Sequence, residues 1–185
     1  MAVVNTSNCN FGWKAENFNL LSVNGNYYSL DSLKGQNGTL IAFICNHCPY
    51  FIYIAERLSY EAKELKKIKI NSIAIMSNDV DKYPEDSFEN MKLFFKNHNL
   101  DFPYLYDEDQ NIARIYNAQC TPDFFGFNSE LKLQYRGRLD SSGRSSDNLN
   151  VERDLFNAMK EIAKSGNGPK NQIPSIGCSI KWKNQ

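Results

Sequence analysis

The stretch TLIAFICNHCPY, residues 39–50, decides which fold this chain is expected to adopt. Its first half, Thr39 to Ile44, is a continuous apolar run rich in β-branched and aromatic residues, which is typical of a strand buried on both faces. Its second half contains two cysteines two residues apart, Cys45 and Cys48. From Ile52 to Leu65, apolar residues recur every three or four positions, which predicts a helix. The two cysteines are therefore expected at a strand-to-helix junction.

Strand and helix patterns alternate along the rest of the chain. The Asn24-Gly25 dipeptide predicts a tight turn in an N-terminal β-hairpin, because both residues accept the positive φ angles of such a turn. Alternating elements that end in a hairpin and a helix predict an α/β fold with a central mixed β-sheet flanked by helices. The further strands are predicted at 70–76, 104–106, 123–127 and 133–139, and the further helices at 87–97, 111–116 and 151–164.

Length and composition limit the class of protein. The chain has 185 residues, of which 42% are hydrophobic and 23% charged, so we predict a single domain over 1–185. Lys plus Arg and Asp plus Glu both total 21, which argues against nucleic-acid and polybasic membrane partners. No apolar run approaches the roughly 18 residues of a membrane span. We therefore expect a cytoplasmic protein.

Both ends of the chain are expected to differ from the middle. Residues 1–14 are rich in asparagine and are interpreted as a leader, in which Cys9 is incidental. Residues 165–185 begin with a connector rich in Gly, Pro and Asn and continue with Ile176, Ile180 and Trp182. A free tail would leave these apolar side chains in water, so 165–185 is predicted to be a linker and a docked tail.

The close pair Cys45 and Cys48 is the strongest chemical signal. The five cysteines are odd in number and scattered, unlike the framework of a small secreted protein. A helix N-terminus or a C-x-x-C motif lowers a thiol pKa from about 8.5 to roughly 3.5–7.5. This predicts Cys45, on the N-terminal side, as the nucleophile and Cys48 as the thiol that resolves a mixed disulfide. His47 would add positive potential that stabilises the Cys45 thiolate.

Two other uses of the cysteine pair stay open. Cys45 and Cys48 can be structural cysteines near a helix start, or half of a zinc site. Zinc normally needs four ligands, so Cys120, Cys178 and His98 would have to converge on the pair from distant positions. We favour redox use, with no metal and no cofactor beyond the redox-active disulfide itself.

Several motifs occur together in order and carry a family resemblance. Thr121-Pro122 follows Cys120 and precedes an apolar strand. The matching segments are FICNHCPY (43–50), SNDVDKYPEDSFENMK (77–92), FPYLYDEDQNIARIYNAQCTPDFFGF (102–127), YRGRLD (135–140) and GCSIKWK (177–183). With them the chain resembles the peroxiredoxin-like branch of the AhpC/TSA (redoxin) proteins. The resemblance implies a thioredoxin-like fold in which Pro122 is cis and lies, with Thr121, in a groove beside the cysteines; an ordinary strand-initiating proline is the alternative.

The chain departs from typical peroxiredoxins near the first cysteine. They place Thr or Ser three residues before the peroxidatic cysteine and Pro seven before it, whereas this chain has Ala42 and Gly38. The hydroxyl expected to bind peroxide is therefore missing. Arg136 or Arg138 can supply positive charge near the thiolate, as an arginine does in that family, or be exposed strand arginines.

We predict a thiol–disulfide oxidoreductase acting on a disulfide-bearing protein or a small thiol, with an external reductant of the thioredoxin or glutathione type. One alternative is a thiol peroxidase, in which a hydroperoxide oxidises Cys45 to a sulfenic acid. Another is a non-catalytic module that binds peptides through the groove beside Pro122. Cys120 and Cys178 are interpreted as buried thiols, or as auxiliary thiols of the redox site.

Overall fold

The structure is a computed structural model that describes residues 2–143 and 151–183. These residues contain ten strands and six α-helices, joined by loops. The strands are β1 (Val3–Asn5), β2 (Asn19–Ser22), β3 (Tyr27–Ser29), β4 (Gly38–Phe43), β5 (Ile70–Met76), β6 (Tyr104–Tyr106), β7 (Cys120–Thr121), β8 (Asp123–Phe127), β9 (Leu133–Tyr135) and β10 (Ile176–Ser179). The helices are α1 (Leu30–Leu33), α2 (Pro49–Ile52), α3 (Ala55–Lys67), α4 (Phe88–Asn97), α5 (Asn111–Ile115) and α6 (Asp154–Ser165), with a 3-10 helix at Pro84–Asp86.

The main sheet has seven strands in the order β3-β2-β6-β5-β4-β8-β9. Strand β4 is parallel to β5 and antiparallel to β8. Side chains alternate along a strand, and Leu40 and Ala42 face one apolar core while Ile41 and Phe43 face the other. This two-sided burial explains the uninterrupted apolar run. The predicted mixed sheet flanked by helices is confirmed.

A second sheet joins the two ends of the described chain to its middle. Its order is β1-β10-β7, and both pairings are antiparallel. Residues 2–14, expected as part of a leader, form β1 and then pair with the domain at Lys14 and Lys132. In the tail, Ile180 is buried, whereas Ile176 is 47% exposed. Residues 184 and 185 lie outside the described residues.

Some element ends differ from those predicted. Helix α3 begins at Ala55, because Pro49 starts a separate short helix, α2. Strand β9 ends at Tyr135, since the backbone N–H of Arg138 donates to Ile173 O in the linker instead of to the sheet. Helix α4 begins at Phe88, one residue after its predicted start, because Ser87 is its N-cap and accepts a hydrogen bond from Asn90 N. Within residues 2–143 and 151–183, no helix is long and apolar enough to cross a membrane.

Candidate active site

Cys45 and Cys48 lie between the carboxyl end of β4 and the start of α2. Cys48 is the N-cap residue of that helix, and Pro49 is its first residue. Cys45 lies three residues earlier, outside the helix. Cys48, not Cys45, is therefore the cysteine at the helix N-terminus. Both side chains are inaccessible, since Cys45 is 1% exposed and Cys48 is fully buried.

Thr121 contacts both sulfurs. Cys45 Sγ lies 3.2 Å from Thr121 Oγ1, and the Cys48 thiol donates a 2.9 Å hydrogen bond to Thr121 O. The antiparallel pairing of β8 with β4 sets Asp123 opposite Phe43, which brings the preceding Thr-Pro to the end of β4. The bond between Thr121 and Pro122 is cis, as the family resemblance implies.

The pKa values of the two thiols are shifted in opposite directions. Burial raises the pKa of Cys45 well above its usual value, and the hydrogen bond to Cys48 and the negative charge of Asp86 raise it further. The hydrogen bond from Cys45 lowers the pKa of Cys48 to about 5, against the opposing effect of burial and with help from Cys178 and Thr121. When the reduced pair is charged, these contacts favour the charge on Cys48; the hydrogen bond to Thr121 O belongs to the neutral Cys48 thiol. This reverses the assignment of the more acidic thiol to Cys45.

His47 belongs to a buried polar cluster centred on Asp86. His47 Nδ1 lies 2.7 Å from Asp86 Oδ2, and the imidazole stacks on Tyr83 with ring centroids 5.6 Å apart. The fully buried Asp86 carboxylate also accepts hydrogen bonds from Asn46 N at 2.8 Å and Asn78 Nδ2 at 2.7 Å. Its hydrogen bond raises the pKa of His47. The Asp86 carboxylate therefore favours the protonated form of His47 and holds its ring close to Cys45.

Asp86 lies in the matching segment 77–92, but no residue spacing there marks it as a site residue. It is an acidic residue in a polar loop, 40 residues from Asn46, and the fold turns the 3-10 helix Pro84–Asp86 toward the cysteine loop. The local pattern is two acidic residues after Pro84, and such residues usually cap a helix or face solvent.

Three side chains of this cluster are close enough to bind one metal ion. One ligand atom each from Cys45, His47 and Asp86 lies within 4.8 Å of the others, and among residues 2–143 and 151–183 this is the one such group. The set that includes Cys120, Cys178 and His98 does not converge there, and the His98 ring packs on Phe94 instead. Structural zinc normally takes four ligands, and this group supplies three. The absence of a metal at this site stays a prediction.

The remaining cysteines differ in their relation to the pair. Cys178 is buried in β10, in the same apolar cluster as Cys45 and Cys48, and burial raises its pKa to about 12. The Cys120 thiol instead donates to Pro122 O at 3.5 Å, and burial raises its pKa. Half-buried Cys9 lies beside Arg136 and Gln172. The structure thus brings Cys178, but not Cys9, to the pair.

Arg136 and Arg138 bind carboxylates. Arg136 is 5% exposed, so its interpretation as an exposed strand arginine is wrong. Its Nη2 atom lies 2.8 Å from Asp123 Oδ2 and also donates to Asn117 O. Arg138 Nε lies 2.9 Å from Asp154 Oδ2. Both guanidinium groups therefore bind these carboxylates, and neither takes the role of an arginine that binds the thiolate.

A cavity of about 410 Å³ lies beside Pro122. Its lining is mostly apolar and includes Tyr50, Ile54, Phe124, Leu139 and Ile176. The cavity borders the same Thr-Pro segment that contacts the two sulfurs, so an extended ligand in it would lie close to the cysteine pair.

Known proteins match this chain at the level of family and fold. The sequence model of the AhpC/TSA family matches residues 11–136. An uncharacterized conserved protein from Geobacillus kaustophilus is 40% identical with a TM-score of 0.93, covering 100% of this chain and 98% of its own. A hypothetical protein from Sinorhizobium meliloti 1021 is 35% identical with a TM-score of 0.91, covering 98% and 99%.

A more distant structure identifies the wider fold. A thiol:disulfide interchange protein of the thioredoxin family from Chlorobium tepidum is 15% identical with a TM-score of 0.63, covering 85% of this chain and 99% of its own. The thioredoxin-like fold implied by the motifs is confirmed. No curated protein matches the chain.

Proposed function

Because the chain belongs to the AhpC/TSA family, we propose that it is a thiol oxidoreductase in which Cys45 and Cys48 form a reversible disulfide. The observation that carries this proposal is the placement of both sulfurs against Thr121, beside an apolar cavity. The lowered pKa of Cys48, about 5, favours a thiolate at neutral pH, and the thiolate is the reactive form.

The proposed reaction is thiol–disulfide exchange. A thiolate of the pair attacks a substrate disulfide, one substrate sulfur leaves as a thiol, and a mixed disulfide forms. The second cysteine then attacks the protein sulfur of the mixed disulfide, which releases the reduced product and leaves Cys45 and Cys48 joined. An external reductant of the thioredoxin or glutathione type returns the pair to two thiols.

Thr121 and Pro122 are proposed to border the substrate groove. The cavity beside them offers apolar contacts to a side chain near the substrate disulfide, and Arg138 and Asp140 on its wall offer polar contacts. A disulfide-bearing peptide or protein therefore fits this groove better than a small polar thiol does.

A redox titration tests the proposed function. Purified protein is equilibrated in glutathione buffers of increasing oxidising strength, quenched in acid, and its free thiols are counted. Two of the five cysteines are expected to be lost together in one two-electron transition. Five free thiols in the most oxidising buffer would instead support a non-catalytic peptide-binding module.

Peroxidase activity is the second candidate, because the structure supplies a hydroxyl that the sequence lacks at Ala42. Thr121 Oγ1 lies 3.2 Å from Cys45 Sγ, so a hydroxyl from another element occupies a position where it can hydrogen-bond a bound peroxide. Arg136, bound to Asp123, offers no comparable charge. We expect hydrogen peroxide to oxidise the pair at about the rate of an ordinary thiolate; a rate several orders of magnitude higher would identify a peroxidase.

His47→Ala is expected to raise the pKa of the thiolate and to make the disulfide harder to reduce. A protonated His47 favours a negative charge on Cys48, and such a partly buried charge pair is worth about 1 kcal/mol. Absorbance near 240 nm followed against pH reports the thiolate. His98→Ala is the matched control, since that ring packs on Phe94. Superimposable curves for wild type and His47→Ala would remove His47 from the mechanism.

A further inference from the structure

Cys178 is a buried thiol that the exchange reaction, as proposed, does not use. It lies in β10, the middle strand of the second sheet, where antiparallel pairing sets it opposite Thr121. Thr121 O is also the acceptor of the Cys48 thiol. Cys178 is therefore brought to the pair by the strand register, and it belongs to the same buried cluster as Cys45 and Cys48.

The close approach of β10 to β7 depends on the residue before Cys178. A Cβ atom on Gly177 would meet the backbone of Thr121, with its carbonyl oxygen only 2.2 Å away. Only glycine permits this separation, so the chain carries the one residue type that lets Cys178 reach the pair. On the far side of β10, Val3 of β1 pairs with Cys178 and holds the strand in place.

Two side-chain contacts fix the ends of β10. Ser175 Oγ donates to Pro122 O at 2.9 Å before the strand, and Lys181 N donates to Asn78 Oδ1 at 2.9 Å after it. A nucleophile held in this way beside its target reacts with a high effective concentration. Cys120, equally buried one residue before Thr121, hydrogen-bonds to Pro122 O instead.

We propose that Cys178 is a third redox thiol, which exchanges with the Cys45–Cys48 disulfide to give a Cys48–Cys178 disulfide and a free Cys45. This inference rests on the proposed exchange function, which supplies the first disulfide. The Cys178 thiolate attacks Cys48 Sγ, the new bond forms, and the old bond breaks with its electron pair going to Cys45 Sγ. The proton lost by Cys178 ends on Cys45. One disulfide is present before and after, so the step needs no external oxidant or reductant.

Cys178 can attack only after the pair is oxidised, because the reduced pair holds no disulfide. In the reduced protein, burial and then the hydrogen bond and charge of Cys48 raise the pKa of Cys178 to about 12. When Cys48 enters a disulfide, its charge is gone, and two of these three causes are removed. Attack by Cys178 therefore follows oxidation of the pair. The product stores the oxidising equivalent at Cys48 and ties β10 to the N-cap of α2.

Disulfide mapping of the full chain tests the relay. Wild type, Cys178→Ser and the matched control Cys120→Ser are equilibrated in oxidising glutathione buffer, quenched in acid, alkylated and digested with trypsin without reduction. Cys45 and Cys48 share the peptide 35–57, Cys178 lies in 171–181, and Cys120 lies in 115–132. A Cys48–Cys178 bond therefore joins two peptides, whereas a Cys45–Cys48 bond stays within one.

The joined peptides are expected in wild type and in Cys120→Ser. If the free energies of the two disulfides differ by no more than about 1.4 kcal/mol, at least about one oxidised molecule in ten carries the Cys48–Cys178 bond. In Cys178→Ser the joined peptides are absent, and the bond within 35–57 remains. Wild type in which Cys178 is always alkylated while Cys45–Cys48 is oxidised would overturn the relay and leave the proposed function intact. Alkylation of Cys45 and Cys48 at every potential would overturn both.

The Cys45→Ser protein gives a second readout. Oxidised glutathione is expected to leave it with a Cys48–Cys178 disulfide and no bound glutathione, because Cys178 displaces glutathione from Cys48. Cys45→Ser combined with Cys178→Ser should retain glutathione on Cys48. Stable glutathione on Cys48 in the single variant would overturn the relay.

Discussion

Cys48→Ser is expected to lower disulfide exchange at least about a thousandfold, as removal of a nucleophile does in other enzymes. It removes the sulfur with the lowered pKa and one half of the disulfide. In the remaining protein, burial and the Asp86 charge hold the pKa of Cys45 high. Cys45 should then form a mixed disulfide only slowly at pH 7, and faster as the pH rises. Turnover of a disulfide-linked fluorescent peptide with dithiothreitol measures the first effect, and mass spectrometry the second.

Cys9→Ser is the control for this measurement. Cys9 is half-buried and lies beside Arg136 and Gln172, so its loss should leave exchange within about twofold of wild type. If Cys48→Ser retained exchange within tenfold of wild type, the two-cysteine mechanism would be wrong. Rapid trapping at Cys45 at pH 7 would restore Cys45 as the more acidic thiol, as the sequence alone suggested.

Arg136→Met is expected to lower the free energy of unfolding by about 3–5 kcal/mol, because it leaves the Asp123 carboxylate buried without its cation. Asp123 is fully buried, and its partner also stacks on Phe125 with the guanidinium carbon 4.4 Å from the ring centroid. Asp123 follows Pro122 directly, so its loss of order should displace the Thr-Pro segment from the cysteines. For a chain of this size the melting temperature should fall by roughly 10 °C.

Arg138→Met is the matched control in the same segment. The Arg138 and Asp154 side chains are 28% and 15% exposed, so their ion pair is screened by solvent. The expected loss is about 1 kcal/mol or less. Thermal melts followed by circular dichroism compare the two variants. Equal decreases in melting temperature would show that the Arg136–Asp123 pair has no special weight.

The secondary structure was most predictable where burial leaves a periodic pattern. Strand β5 and strand β8 have the predicted limits, and α4 begins one residue after its predicted start and ends where predicted. The second sheet was not predictable, because β7 has two residues and β1 has three, which is too short to show any period. Helix α2 was likewise not distinguished from α3, since Ile52, its last residue, fits the apolar period of α3.

The sequence by itself determined the central strand and the position of the cysteine pair at its end. A strand covered on both faces is apolar along its length, so the run from Thr39 to Ile44 can be recognised as a central strand from the sequence. The C-x-x-C motif can also be recognised from the sequence, because Cys45 and Cys48 are near each other in the chain. Both features follow from local periodicity and spacing, which any single sequence displays.

Only the tertiary structure decided which groups surround the pair and where its charge rests. Thr121 is 76 residues from Cys45, and it meets the sulfur because β8 pairs with β4 in one register. Asp86 lies in the 3-10 helix and Cys178 in β10, which are two further segments of the chain. A thiol pKa is set by burial and by hydrogen bonds within a few ångströms. Since these contacts come from strand register and not from neighbours in the chain, the acidity of Cys48 could not be predicted from the motif.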